Sequence, residues 1–210
     1  MAVTIKANEI PDIIISRLPV YLRALQRLAN HGIQTTSSQE LGESVGISAA
    51  QIRKDLSQFG EFGKQGTGYH IPFLIETLQK ILNVDRVWEV AVVGMGDMGH
   101  AIARYQGFTD RGFQVVMGFD IDPKLIGNQV GNLTVHDARH LVHDLREAGI
   151  RIAMLTVPAA AAQGVANKLV EAGVKAILNY APVSLSVPAE VHVQYLDPAI
   201  GLQRMAYYLD

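Results

Sequence analysis

The most specific chemistry in this chain sits in Gly94-Met95-Gly96-Asp97-Met98-Gly99 and in Asp120, twenty-one positions beyond the last of those glycines. An apolar run, Trp88 to Val93, leads into the first glycine. A GxGxxG pattern between a strand and a helix, with an acid at the end of the next strand, is the spacing a dinucleotide requires. Gly94 permits the tight turn off the strand, Gly96 lets the backbone approach a pyrophosphate, and Gly99 lets the helix pack closely on the sheet. The amides opening that helix then face the phosphates. Asp120 suits the adenine ribose hydroxyls. Asp122 follows, with Lys124 but no Arg nearby, so a 2′-phosphate meets carboxylate repulsion and NAD(H) is favoured over NADP(H). Another adenine nucleotide or coenzyme A stays open as the ligand, because the fold does not fix it.

A second chemistry lies upstream. Ser37-Ser38-Gln39-Glu40 reads as a capping box opening a short helix through Val45, Gly46 supplies a turn, and Ser48-Ala49-Ala50-Gln51 repeats the capping pattern. In the helix that follows, Ile52, Leu56 and Phe59 fall at helical spacing and point inward, which leaves Arg53, Lys54 and Ser57 outward. Two short capped helices joined by a glycine turn make a helix-turn-helix, whose second helix enters a major groove. Gly60, Gly63, Gly66 and Gly68 punctuate the next stretch, which reads as two short strands around a tight tip carrying Lys64, a wing. Arg53 and Lys54 would meet base edges or phosphates, Ser57 a phosphate, and Lys64 the backbone or the minor groove. The basicity is local: residues 1–80 hold eight Lys and Arg against seven Asp and Glu, and the whole chain has a formal charge of −2.

Groups for catalysis are harder to find. None of the seven tyrosines has Lys four residues on, so the Tyr-x-x-x-Lys arrangement of many dehydrogenases is absent, and no other proton-transfer pair stands out. The expectation is a binding protein and not an enzyme, with an NAD-dependent dehydrogenase as the alternative. His136, His140 and His143 share a helical spacing, yet they stand among Asp137, Arg139, Asp144 and Arg146 and read as a solvated face, not a metal site. Two strand ends, Thr156-Val157-Pro158 and Asn179-Tyr180-Ala181-Pro182, read either as the place where a nicotinamide ring would sit or as tight turns with no ligand role. A dry pocket of Val157, Pro158, Ala181 and Pro182 would favour the neutral reduced ring over the charged oxidised one.

These residues need two domains to position them, and 210 residues suffice. Composition is globular, 49% hydrophobic and 18% charged. The absence of cysteine excludes disulfides and thiolate sites and fits a reducing compartment. With no signal-like N-terminus and no apolar run of membrane-spanning length, the expected location is cytoplasmic. Residues 1–83 read as helical with a Gly-rich insert: Pro11 opens a helix, Pro19 offsets or breaks it before Val20–Asn30, and a helix over 71–82 buries Phe73, Leu74, Leu78, Ile81 and Leu82. From 84 to 196 strands at 88–93, 115–120, 133–135, 150–157 and 175–179 alternate with helices at 97–105, 138–148 and 160–172. That alternation predicts a doubly wound parallel sheet, an α/β Rossmann-type unit. After the strand-like VHVQYL, residues 197–210 form an apolar helix with Ile200, Leu202, Met205 and Leu209 that has no obvious partner in its own chain. It predicts a homodimer, with the helix packed on or exchanged with a second copy, and a dimer supplies the second half-site of a palindromic duplex.

The chain as a whole, from about Pro11 to Leu209, resembles the Rex family of bacterial redox-sensing repressors. The resemblance rests on Arg17-Leu18-Pro19 with Tyr21-Leu22, the blocks QIRKDLSQFGEFGKQGTGY and VVGMGDMGHAIARYQGF, GFDIDP, ILNYAPV and the helix after Asp197. It implies a homodimer joining a winged-helix domain to a Rossmann domain, which binds operator DNA when NADH is scarce and releases it when NADH binds, NAD⁺ competing for the site. Residue by residue it implies DNA contacts from Gln51, Arg53, Lys54, Ser57 and Lys64, and NADH binding by Gly94, Gly96, Gly99 and Asp120 with the backbone of Met95, Asp97 and Met98 at the pyrophosphate. It also implies that Arg17, Tyr105 and Asp197 exchange partners between domains as NADH arrives. Gln106, where the family often has proline, and Pro198, where it usually has a larger apolar residue, depart from the pattern.

Overall fold

The computed structural model describes residues 10–60, 62–64 and 68–209, and of Gly63 and Lys64 the backbone alone. Two compact units meet in sequence between Arg86 and Val87.

In the first unit Pro11 precedes a short α1 (Asp12–Ile15), and Pro19 sits in the first turn of α2 (Leu18–Asn30), so the prolines make two helices. A two-residue strand β1 (Thr35–Thr36) precedes α3 (Ser38–Val45). The capping box is complete: Ser37 Oγ accepts from the Glu40 amide at 3.1 Å and the Ser37 amide donates to Glu40 Oε2 at 2.7 Å. Gly46 ends α3 at φ +71°, in the left-handed region that favours glycine. The helix α4 (Ala49–Ser57) is capped by Ser48, whose Oγ accepts from the Gln51 amide at 3.2 Å. That box is only half made, because the Gln51 side chain turns away to Asp55. The strands β2 (Gly63–Lys64) and β3 (Gly68–His70) pair antiparallel, and β1 adds on the other side of β3. Lys64 thus lies in β2 opposite Gly68, before the expected tip; residues 65–67, with Gly66, lie outside the described ones. The unit closes with α5 (Ile71–Ile81).

Apolar residues one or two turns apart form a single core in this unit: Leu18, Tyr21, Leu25, Leu41, Ile52, Leu56, Ile71, Leu74 and Leu78 are all buried. Phe73 departs from expectation. It stands on the outer face of α5, 51% exposed, because Ile71, Leu74 and Leu78 define the inward stripe.

The second unit runs β4 (Trp88–Val93), α6 (Asp97–Arg104), a 3₁₀ turn (Gln106–Arg111), β5 (Phe113–Asp120), β6 (Gln129–Val130), β7 (Leu133–Asp137), α7 (Leu141–Glu147), β8 (Ile152–Leu155), α8 (Ala159–Glu171), β9 (Ala176–Asn179), β10 (His192–Tyr195) and α9 (Pro198–Ala206). Strand order is β10-β9-β8-β4-β5-β7-β6, parallel throughout except for β6 on β7. Both faces are buried: Ala91 and Val93 point to the core under α7 and α8, Val90 and Val92 to the core that contains Met95 and Ile102. In α9 no residue is buried. Expected helix and strand ends contract where side chains and turns intervene: α7 starts at Leu141, after a turn at Asp137–Arg139, and β8 stops at Leu155.

Candidate functional site

The sheet reverses its order at β4, with β5 on one side and β8 on the other, and open α/β sheets bind ligands at the carboxyl ends of such strands. A cavity of about 580 Å³ lies there, lined by Val93, Gly94, Gly96, Asp120, Thr156 and Val157 together with Phe119, Ile121, Pro158, Ala161 and Val165 among others. The three glycines differ in what an added side chain would meet. Gly94 has φ +98°, and a Cβ there would stand 2.8 Å from the Thr156 carbonyl. A Cβ on Gly99 would stand 2.1 Å from the Gly94 oxygen, so α6 sits against the turn as no other residue allows. At Gly96 a Cβ would meet no atom within 4 Å: this glycine leaves space free for something outside the fold. Thr156 Oγ1 donates to the Val93 and Gly94 carbonyls at 3.0 and 2.7 Å, tying the end of β8 to the turn.

Asp120 ends β5 and is held by backbone: Oδ2 accepts from the Met95 amide at 2.6 Å, Oδ1 from the Ile121 and Asp122 amides at 2.7 and 2.9 Å. Its carboxylate is thereby oriented beside the cavity. The same bond uses the Met95 amide, and the Met95 side chain is core, so of the three loop residues expected at a pyrophosphate only Asp97 and Met98 keep first-turn amides of α6 free of intrahelical acceptors. Ile121, 80% exposed at the cavity rim, is an apolar surface that the sequence reading missed; an exposed isoleucine directly after the strand-end acid was the available signal. Gly118 was missed too: a Cβ there would meet Met95 Sδ at 2.9 Å, so it seats the loop from below.

Of the second strand end, neither Asn179, Ala181 nor Pro182 lines the cavity, whereas Val157 and Pro158 do. Asn179 is buried, donating to the Ala181 and Val183 carbonyls at 3.1 and 2.9 Å and accepting from the Ala181 amide at 2.9 Å. Its amide staples the turn after β9, and Ala181 packs in the core beneath.

In the first unit Arg53, Lys54 and Ser57 are exposed on the outer face of α4, opposite the buried Ile52 and Leu56. Arg53 Nη1 donates to Ser38 Oγ at 2.8 Å and Ser57 Oγ to the Lys54 carbonyl at 2.8 Å. For Lys64 only the backbone, in β2, is described. Behind this face lies a polar cluster that periodicity did not reveal. Asp55, buried on α4, accepts from Arg17 Nε and Nη2 at 2.6 and 2.7 Å, from the Tyr21 hydroxyl at 2.7 Å and from Gln51 Nε2 at 2.7 Å. Burial pushes the Asp55 carboxyl up, and the hydrogen bonds from Arg17, Tyr21 and Gln51 more than reverse this, leaving it below the usual carboxylate range. Burial and the bond to Asp55 push the Tyr21 phenol well up. Arg17 is therefore paired inside its own unit. Tyr105 and Asp197, the other two residues of the implied exchange, also have local partners. The Tyr105 ring packs edge-on against Phe108 at 4.9 Å with its oxygen 3.4 Å from Arg111 Nη1, and Asp197 caps α9 by accepting from the Ala199 amide at 2.9 Å. His136 lies in β7, His140 immediately precedes α7 without a side-chain capping bond, and His143 lies within α7; among the described residues no three His, Asp or Glu side chains are grouped to hold a metal ion.

Comparison with known proteins agrees with this division. A family model described as "CoA binding domain" matches residues 85–183, and one described as "Putative DNA-binding protein N-terminus" matches residues 9–57. The redox-sensing transcriptional repressor Rex of Chloroflexus aurantiacus is 51% identical over 95% of this chain and 94% of its own, and that of Syntrophomonas wolfei 43% identical over 97% of each. Among solved structures, RSP in complex with β-NAD⁺ and operator DNA superposes with a TM-score of 0.91 at 38% identity, covering 95% of this chain and 92% of that one. RSP in complex with β-NADH superposes at 0.88 and 35%, covering 96% and 95%. Full-length identity at this level, on a winged-helix unit followed by a Rossmann-type unit, makes the chain a member of the Rex family of redox-sensing transcriptional repressors.

Proposed function

We propose that this repressor reads the balance of NADH and NAD⁺ in the cavity at the ends of β4, β5 and β8, and answers by releasing operator DNA held by α4 and the β2–β3 hairpin when NADH binds. The observation that carries the reading is the open space at Gly96 beside an oriented Asp120, within one chain with a basic, outward helix face. The RSP complexes with NADH, and with NAD⁺ and operator DNA, support it.

The residues present fit a dinucleotide. The amides of Asp97 and Met98 open α6 toward a pyrophosphate, Asp120 accepts from ribose hydroxyls, and Asp122 beside it repels a 2′-phosphate. A reduced nicotinamide is neutral and an oxidised one charged, and walls of Val157, Pro158, Ala161 and Val165 make burial of that charge costly. Asn179, Ala181 and Pro182 then act behind the ring: Asn179 and Ala181 hold the turn, and exposed Pro182 is left to approach the ligand. Gln51, Arg53, Lys54, Ser57 and Lys64 contact DNA.

The regulator works as a homodimer on a palindromic duplex, each protomer reading one half-site. Ile200, Leu202 and Met205 of α9, each more than 60% exposed, are the dimer surface, by packing or by exchange of residues 197–210 between copies. Arg17, Tyr105 and Asp197 form the switch; each must leave the partner described above to take another. A reversal from 99:1 to 1:99 requires about 5.5 kcal/mol of NADH preference for the released state. Two sites per dimer share it. Among the described residues no helix is long and apolar enough to cross a membrane. Action on chromosomal DNA places the protein in the cytoplasm.

The test is the anisotropy of a labelled duplex, selected from a random palindromic pool, at fixed salt with added NADH, NAD⁺, NADPH or coenzyme A. Release by NADH, opposed by NAD⁺ and not reproduced by the other two, is the expected result. DNA binding that answers only to coenzyme A would move the effector, and steady consumption of NADH with a carbonyl substrate would make the chain a dehydrogenase.

A further inference from the structure

Gln51 and Asp55 lie one turn apart on α4, with Gln51 Nε2 2.7 Å from Asp55 Oδ1. Both Asp55 oxygens are saturated by donors: Oδ2 takes Arg17 Nε and the Tyr21 hydroxyl, Oδ1 takes Arg17 Nη2 and Gln51. An ionised carboxylate has no hydrogen to give. The nitrogen of the Gln51 amide, never its oxygen, must therefore face Asp55. A glutamine on a solvated helix face turns its amide over freely; this one has a fixed polarity. Gln51 is also half-buried in the first turn of α4, its backbone amide bound to the Ser48 cap, and the first turn of a recognition helix is the part that reaches base edges. Among the described residues nothing donates to Gln51 Oε1.

We infer that Asp55 is a positioning residue that locks the Gln51 amide with its oxygen outward, so that Gln51 selects a base carrying an exocyclic amino group in the major groove. The inference rests on the reading of α4 as the helix that enters that groove. Adenine and cytosine present an amino donor there, while guanine and thymine present a carbonyl oxygen that would face the Gln51 oxygen lone pair to lone pair. Adenine ranks first, because its N7 accepts the remaining amide hydrogen while its amino group donates to Oε1. The same polarity rules out a phosphate contact through Oε1, since two acceptors repel. Specificity at one operator position then depends on a side chain that never touches DNA, and through it on Arg17 and Tyr21.

The experiment uses the full chain and a set of duplexes carrying all four bases at each half-site position, ranked by competition anisotropy for the native protein, Gln51→Ala and Asp55→Asn. The native protein should prefer adenine, then cytosine, at one position by about tenfold over guanine and thymine, and Gln51→Ala should flatten that position alone. In Asp55→Asn the carbonyl keeps Arg17 Nε and the Tyr21 hydroxyl at the Oδ2 position, while the new amide at the Oδ1 position gives up the bond from Arg17 Nη2 and donates to Gln51, so the glutamine turns over. The preference at that position should then move toward guanine and thymine with the others retained. Uniform weakening at every position would mean that Asp55 is merely structural, and would overturn the inference. Independent of that variant, NMR of the free native protein should show Gln51 side-chain amide protons exchanging slowly with water, and an amide averaged like an exposed one would also overturn it. A chain that selects no duplex at all sinks the DNA-binding reading together with the inference. One that selects a duplex and shows the same profile with Gln51→Ala sinks the inference and base reading by Gln51, and leaves the DNA-binding reading of the chain standing.

Discussion

Substituting alanine at Gly96 and at Gly99 separately should divide ligand binding from folding, although both glycines belong to one motif. Gly96 has φ −69°, an ordinary value for any residue, and its added methyl meets no protein atom within 4 Å. Alanine is a poorer N-cap than glycine but restricts the unfolded chain, and these opposed effects leave stability within about 1 kcal/mol of native. The methyl instead stands where the pyrophosphate must approach, an overpacking of about 1–3 kcal/mol, which corresponds to about 5- to 150-fold in Kd for NADH. At Gly99 the methyl would lie 2.1 Å from the Gly94 oxygen, a backbone atom that cannot swing aside. Either α6 moves off the turn or the turn deforms, at a cost of about 1–3 kcal/mol or more. For a unit of this size that lowers Tm by about 4–12 °C. Calorimetry and NADH titration by fluorescence on the same samples give both numbers. A Gly96→Ala protein that binds NADH like the native one would refute the placing of the pyrophosphate, and a Gly99→Ala protein of native Tm would refute the close-packing argument.

Removing Arg17 (Arg17→Ala) leaves the buried Asp55 carboxylate with Tyr21 and Gln51 as its remaining donors, and should destabilise the first unit by about 3 kcal/mol in urea titration, the low end for a broken buried pair; a loss below 0.5 kcal/mol would show the pair to be idle. Because the folded Asp55 carboxyl is held below its unfolded value, its contribution is complete above the unfolded pKa and disappears as pH falls through the folded one, so native protein should lose stability on acidification and Asp55→Asn should lose less over that window. Asp120→Asn gives up a charge-assisted acceptor for ribose and, wherever its amide stands, leaves at least one of the Met95, Ile121 and Asp122 amides without its acceptor, and should raise the NADH concentration that releases DNA at least tenfold; unchanged release would exclude Asp120 from the site. Leu202→Glu with Met205→Glu places charge on the exposed face of α9, and sedimentation should show monomers with unaltered circular dichroism, whereas an intact dimer would move the interface elsewhere.

Local chemistry made much of this protein legible without coordinates. The capping box at Ser37 and Glu40, the left-handed glycine at 46 and the inward stripe of Ile52, Leu56 and Phe59 are short-range requirements, met by the backbone where the residues occur. The motif from Gly94 to Gly99 is of the same kind, since each glycine answers a steric demand set within a few residues and by one strand neighbour. Sequence determined the helical, winged first part of the chain and the doubly wound parallel sheet that follows it.

What it did not determine depends on partners distant along the chain. Strands of two residues, β1 and β6, carry no periodicity and exist only because β3 and β7 offer a free edge. Asn179 reads as a ligand contact at a strand end, and is instead consumed by the carbonyls of its own turn. Asp55 carries no signal in the periodicity of its helix; folding brings Arg17 from 38 residues away and Tyr21 from 34 to bury it, with Gln51 bound to the same carboxylate. Types and spacings specify what each residue can do, but which hydrogen bonds are already taken, and hence which atoms remain for DNA or nucleotide, is decided only when the tertiary structure brings donors and acceptors together.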